Sequence, residues 1–210
     1  MTTADRIKSS AIIAILRGDF SLEDILRIGD ALQAGGVTAL EVTLNSRAAL
    51  TYLPKLRDHF ADDMLIGAGT ARSADQARAA SEAGAEFLVS PNFDLATVKF
   101  AQSKSLLHLP GVFTATEAQT AFAAGCPMVK LFPMETAGPA YLKALRAPLN
   151  DIEFVPTGGI SLENIGEYAR AGAAAVGLGS KLVPNKEISS TELTARARAL
   201  QAAWQSGVNG

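Results

Sequence analysis

A chain of 210 residues, 48% hydrophobic and 19% charged, has the material for a sizeable core in a single domain of ordinary size. A net charge of −2 with no basic run argues against nucleic acid as a partner, and no apolar stretch nears the roughly 18 residues of a membrane span. The single Cys126 excludes an internal disulfide, and the polar opening "MTTADRIKSS" lacks a leader pattern; the expectation is a cytoplasmic protein whose short N-terminal segment runs directly into a strand.

That first strand is "AIIAIL" (11–16), which ends in Arg17-Gly18; Ser21 then opens a helix over "LEDILRIGDAL". In the second strand, "ALEVTLNS", the period of two puts Glu41 and Thr43 on one face and Leu40, Val42 and Leu44 on the other. "MLIGA" (64–68) is the third, followed by Thr70 and by Ser73 and Gln76 at capping-box spacing. The fourth ends in "SPN" (90–92), and the fifth is "LLHLP" (106–110), followed by a second capping-box pair, Thr114 and Glu117. In the sixth, "PMVKLFP" (127–133), Met128, Lys130 and Phe132 share one face; Pro139 then suits the first turn of "GPAYLKAL". "IEFVP" (152–156) leads into "TGG", Ser161 precedes a helix over "LENIGEYA", and the eighth strand ends "GLGS" (177–180). Ser189 and Glu192 open the last helix, and "SGVNG" reads as a frayed tail.

Four of these strands follow an Ala-Gly pair, beginning at residues 34, 83, 124 and 171, so the pattern recurs about every 45 residues. Glycine there fits the left-handed residue that ends a helix. Eightfold strand–helix alternation predicts a (β/α)8 TIM barrel occupying residues 1–210 as one domain, with an open doubly wound sheet as the alternative. In a barrel the site lies at the C-terminal ends of the strands, which directs attention to the last residues of each run.

Lys130 is the residue that needs explaining, because it alone of eight lysines sits inside an apolar strand. One reading is an ion pair with Glu41 across the barrel interior, although desolvating both charges often costs more than pairing returns. The other is a nucleophilic amine. A free lysine has a pKa near 10.4, leaving roughly one molecule in 2,500 neutral at pH 7, and burial beside a cation raises that fraction. Glu41 is either its structural partner or a general acid/base, and Arg17 either a rim ion pair or an anchor for a substrate carboxylate. Gly158-Gly159 and Gly179-Ser180 expose backbone N–H groups where barrels commonly bind phosphate, the alternative being plain tight turns. His59 and His108 form no metal motif; His59 reads as solvated and His108 as a hydrogen-bonded interior residue.

In order, "AILRG", "LEVTLNS", "IGAGT", "VSPN", "PGVFTATE", "VKLFP", "GPAYLKAL", "VPTGG" and "GLGS" resemble the KDPG/KHG aldolase family from about residue 10 to 185. The resemblance implies a class I aldolase on a (β/α)8 barrel, a homotrimer that uses neither metal nor other cofactor. It further implies cleavage of 2-keto-3-deoxy-6-phosphogluconate to pyruvate and D-glyceraldehyde 3-phosphate. Carried over, Lys130 matches the Schiff-base lysine and Glu41 the general acid/base. Thr70 and Arg17 match residues at the carboxylate end of the substrate, Pro91 and Phe132 its apolar wall, and Gly158, Gly159, Gly179 and Ser180 the phosphate cradle. Asn45 stands where some phosphogluconate-specific members have Arg, which resembles the phosphogalactonate branch; Thr157 resembles the phosphogluconate branch, toward which the expectation leans. Aldolases acting on 2-keto-3-deoxy-6-phosphogalactonate or 4-hydroxy-2-oxoglutarate remain alternatives. Three others are a barrel isomerase or epimerase with Glu41 as base, a metal-dependent aldolase, and a non-catalytic scaffold.

Overall fold

The computed structural model describes residues 1–210. Its strands are β1 (Ile12–Leu16), β2 (Ala39–Thr43), β3 (Leu65–Gly69), β4 (Phe87–Val89), β5 (Leu107–Leu109), β6 (Gly111–Val112), β7 (Met128–Leu131), β8 (Glu153–Pro156) and β9 (Val176–Leu178). All pairings are parallel, in the orders β5-β4-β3-β2-β1-β9 and β6-β7-β8. The fifth strand position is shared by two short pieces: Pro110 has no N–H to give the ladder, so β5 pairs with β4 and β6 with β7 on either side of it. A parallel bridge between Thr157 and Gly177 joins β8 to β9 and closes the ring, giving the expected eight-position barrel.

The alternation within each strand sorts side chains into two cores. Ile13, Ala39, Leu65, Phe87, Val89, Leu109, Met128, Val155 and Ala175 fill the barrel interior. Leu40, Val42, Ile66, Leu88, Val129, Leu131 and Phe154 face outward into a larger core of 49 residues under the surrounding helices. Glu41 therefore shares the inward face of β2 with Ala39, and Lys130 that of β7 with Met128.

The helices begin and end largely where their caps say. Ser21–Asp24 and Thr114–Glu117 form reciprocal capping boxes before α2 (Leu22–Ala34) and α6 (Ala115–Ala123). Ser73 caps α4 (Ala74–Glu82), while Gln76 reaches back one residue further, to the Arg72 N–H. Pro139 lies in the first turn of α7 (Gly138–Arg146), and Ser189 caps α9 (Ser190–Val208). Gly36, Gly84, Gly125 and Gly172 all have φ between 86° and 91°, so the recurring Ala-Gly signal does mark left-handed helix exits, one residue late in the first copy.

Three terminal and boundary expectations are corrected. The N-terminus does not run directly into a strand: Thr2 and Asp5 form a capping box on α1 (Thr3–Ser10), whose fully buried Ile7 plugs the barrel floor against Ile13, Ala39 and Leu65. The tail is not frayed from Ser206, because α9 continues to Val208. Gly207 is buried against α8 (Ile165–Arg170), where a Cβ would lie 2.2 Å from the Gly166 oxygen. Finally, α8 starts at Ile165 rather than after Ser161, since the Asn164 side chain accepts the Ser161 N–H and holds the intervening residues in a turn.

Candidate active site

Glu41 points into the barrel at mid-height, in register with Ile15 on β1 and Gly67 on β3, and is only 2% exposed. No hydrogen bond to its carboxylate accompanies this burial. Desolvation raises its pKa from 4.5 to about 7, against the opposing pull of Lys130 and Arg17. A carboxyl group held there can either give or take a proton near neutrality.

Lys130 on β7 lies between Gly111 and Val155 in the ladder, with its amine 4.8 Å from the centre of the Phe132 ring. Burial lowers its pKa most; the Glu41 carboxylate opposes that and the Arg17 guanidinium adds to it. Lys130 and Glu41 feel each other through space, without a hydrogen bond between them. The interior ion pair anticipated as one reading is thus absent, and the two costly desolvations are offset only in part, by attraction through space.

Arg17 leaves the end of β1 exposed and makes no ion pair, which removes the rim salt-bridge alternative; its charge still reaches both Glu41 and Lys130. Its loop is tied to the next one, because Gly18 N–H donates to Ser46 Oγ at 3.0 Å and Ser46 Oγ lies 2.8 Å from Thr43 Oγ1. Thr70, directly after β3, has φ of 59°, a left-handed conformation that a β-branched residue adopts only when its surroundings impose it. Pro91 follows β4 by two residues, and its backbone lies flat over Gly111, where a Cβ would come within 2.4 Å of the Pro91 carbonyl oxygen.

Past β8, Thr157 is buried and bridges to Gly177, and Gly158 and Gly159 follow with φ of 97° and 70°. These conformations are closed to ordinary side chains, and at Gly159 a Cβ would also meet the Glu135 Cα at 2.7 Å. Past β9 the Gly179 carbonyl accepts N–H bonds from Leu182 and Val183, which turns the chain and leaves Ser180 exposed at the same rim. Parallel strands bring nine of the eleven residues singled out in the sequence to one end of the barrel, just past the strands, while Glu41 and Lys130 project into the interior from within β2 and β7. His59, by contrast, is exposed and bonded to Asp30, and no group of three His, Cys, Asp or Glu side chains gathers anywhere as a metal site would require.

Sequence reasoning overlooked the residues that make room. Gly67 accommodates the Phe87 ring, Gly69 the Glu41 carboxylate and Gly111 the Pro91 backbone. The signal was present in "IGAG", where two glycines occupy successive inward positions of a buried strand. Ser46, too, was visible only as part of "EVTLNS", although its partner Thr43 was already placed on the face of Glu41.

The KDPG and KHG aldolase family matches over residues 3–199. The chain belongs to that family. It is an aldolase, a lyase that breaks a carbon–carbon bond. A 2-dehydro-3-deoxy-phosphogluconate aldolase of Pseudomonas aeruginosa is 44% identical over 69% of this chain and 66% of its own. A 2-dehydro-3-deoxy-6-phosphogalactonate aldolase of Escherichia coli is 39% identical over 81% of this chain and 83% of its own. Among solved structures, the KDPG aldolase of Legionella pneumophila superposes with a TM-score of 0.84 at 32% identity, covering 96% of this chain and 98% of that one. It holds pyruvate as a covalent carbinolamine.

Proposed function

We propose that this chain is a class I aldolase that cleaves 2-keto-3-deoxy-6-phosphogluconate to pyruvate and D-glyceraldehyde 3-phosphate, with Lys130 as nucleophile and Glu41 as general acid/base. Neutral Lys130 attacks the C2 ketone, and the carbinolamine loses water to give an iminium. Glu41, directly or through a water, takes the C4 hydroxyl proton; the C3–C4 electrons flow into the iminium, the aldehyde leaves, and an enamine remains. Protonation of that enamine at C3 and hydrolysis release pyruvate and restore the amine.

The carrying observation is that Lys130 and Glu41 are both desolvated inside the barrel and shifted toward neutrality without being bonded to one another. Each is thus ready to change charge when substrate arrives. Arg17 and Thr70 hold the substrate carboxylate, Pro91 and Phe132 wall the keto acid, and Gly158, Gly159, Gly179 and Ser180 cradle the phosphate. Phosphate contacts at the far end of the substrate hold the breaking bond over the amine. Thr157 supports the phosphogluconate preference. In this reading the enzyme is one domain, works in the cytoplasm and assembles as a homotrimer; no helix is long and apolar enough to cross a membrane.

Borohydride reduction in the presence of pyruvate, followed by intact mass and peptide mapping, tests the chemistry. A pyruvate adduct on Lys130, missing in Lys130→Met, is expected. A folded protein that gives no adduct would overturn the Schiff-base reading and promote the isomerase. Rates on the two C4-epimeric phosphorylated keto acids then test the leaning toward gluconate, which fails if the galactonate epimer is the faster substrate.

A further inference from the structure

Behind the barrel wall lies a buried polar chain that the mechanism does not use. His108 on β5 pairs with Leu88 on β4 and, like it, faces outward, where it is 5% exposed. Its Nε2 lies 2.8 Å from Ser90 Oγ, and Ser90 Oγ donates to the Ala71 carbonyl. A serine hydroxyl has one hydrogen, so with that hydrogen on Ala71 the imidazole must be the donor to Ser90. His108 is therefore the Nε2–H tautomer, and its Nδ1 is buried with no partner. Burial lowers its pKa to about 4 despite nearby Asp94, so the neutral donor persists at neutral pH.

The two ends of this chain matter. Ala71 follows Thr70, the residue in the left-handed conformation, and its N–H bonds back to the Val89 carbonyl. Ser90 precedes Pro91, whose backbone is laid over Gly111, the ladder partner of Lys130. An apolar side chain would suit position 108 as well or better for folding, because the orphaned Nδ1 is a cost. We infer that His108 is a positioning residue for the reaction: through the Ser90 hydroxyl it fixes the junction of the β3 and β4 ends, and so sets Thr70 and Pro91 against Lys130.

The inference rests on the aldolase reading, and the test separates the two. Wild type, His108→Leu, His108→Gln, Ser90→Ala and the Ser90→Ala/His108→Leu double variant are compared in kcat, KM, pyruvate trapping rate and melting temperature. His108→Leu is expected to melt no lower than wild type yet to lose about tenfold in kcat and in trapping rate. His108→Gln, whose amide can supply the same N–H, recovers to within about threefold, and the double variant loses no more than Ser90→Ala alone. A folded His108→Leu with wild-type kcat and trapping overturns the inference, as do losses that multiply in the double variant. Should His108→Leu not fold, Ser90→Ala decides: unchanged kcat and trapping overturn the inference, and the tenfold loss upholds it. Wild type that traps no pyruvate brings down the aldolase reading and this inference with it, whereas trapping that is equal in every variant brings down only the inference.

Discussion

Gly69 faces the Glu41 carboxylate so closely that a Cβ on residue 69 would lie 1.6 Å from Oε1. The carboxyl group occupies the space of an absent side chain on the neighbouring strand. Gly69→Ala should therefore expel it. We expect a loss of about 100-fold or more in kcat and about 1–3 kcal/mol of stability, read by steady-state kinetics and urea unfolding. Wild-type kcat in the variant would mean that the position of Glu41 is not critical.

Lys130→Met tests the amine in the opposite sense. Activity should drop by at least about 10⁴-fold. Stability should hold or rise, because a desolvated, unpaired amine is replaced by an apolar chain of similar length. A melting temperature several degrees below wild type would point to a structural role instead.

Glu41 links folding to pH. Its folded-state pKa, about 7, is raised above the 4.5 of the exposed group. Its contribution is fully favourable below pH 4.5 and is lost as pH climbs through 7, since the unfolded chain ionises it freely. Relative to Glu41→Gln, wild type should lose up to about 3 kcal/mol across that window, measured by denaturant titrations at several pH values. The acid limb of kcat/KM should fall near pH 7 and vanish in the variant.

Arg17 makes no hydrogen bond or ion pair in the folded protein, so Arg17→Met should leave the melting temperature unchanged while raising KM for the keto acid about tenfold. Because the guanidinium helps depress the Lys130 pKa, the pH dependence of pyruvate trapping should also move upward. A changed melting temperature with unchanged KM would contradict the anchoring role.

Why some of this could be seen in advance follows from what each feature consists of. The strands and the inward direction of Glu41 and Lys130 are local properties of alternating runs, so the sequence displays them directly. The floor helix was missed because "TADRIKSS" buries little but Ile7 and Ser10; its one signature was the Thr2–Asp5 capping box. Gly207 looked like fraying because a glycine near a terminus usually is, whereas here it serves a contact with Gly166, some forty residues away in sequence. Gly69 and the partner of His108 share that property. His108 itself reads correctly as a hydrogen-bonded interior residue. Glu41 beside Gly69 and Ser90 beside His108, however, come from a neighbouring strand and from the end of one, and a linear reading carries no record of them until the strands are in register.

The ring of strands is not equally strong all round. β2 and β3 are matched over five residues, while β8 and β9 share only the Thr157–Gly177 bridge, helped by the Ala174 N–H bond to Phe154. The glycine loops proposed to grip phosphate flank this weakest join on both sides. A bound phosphate would then act as a clasp, and the occupied barrel should breathe less there than the empty one. The amide of Gly177 should exchange with solvent much faster than those of β2 in free enzyme, and slow selectively once a phosphorylated ligand bridges the gap.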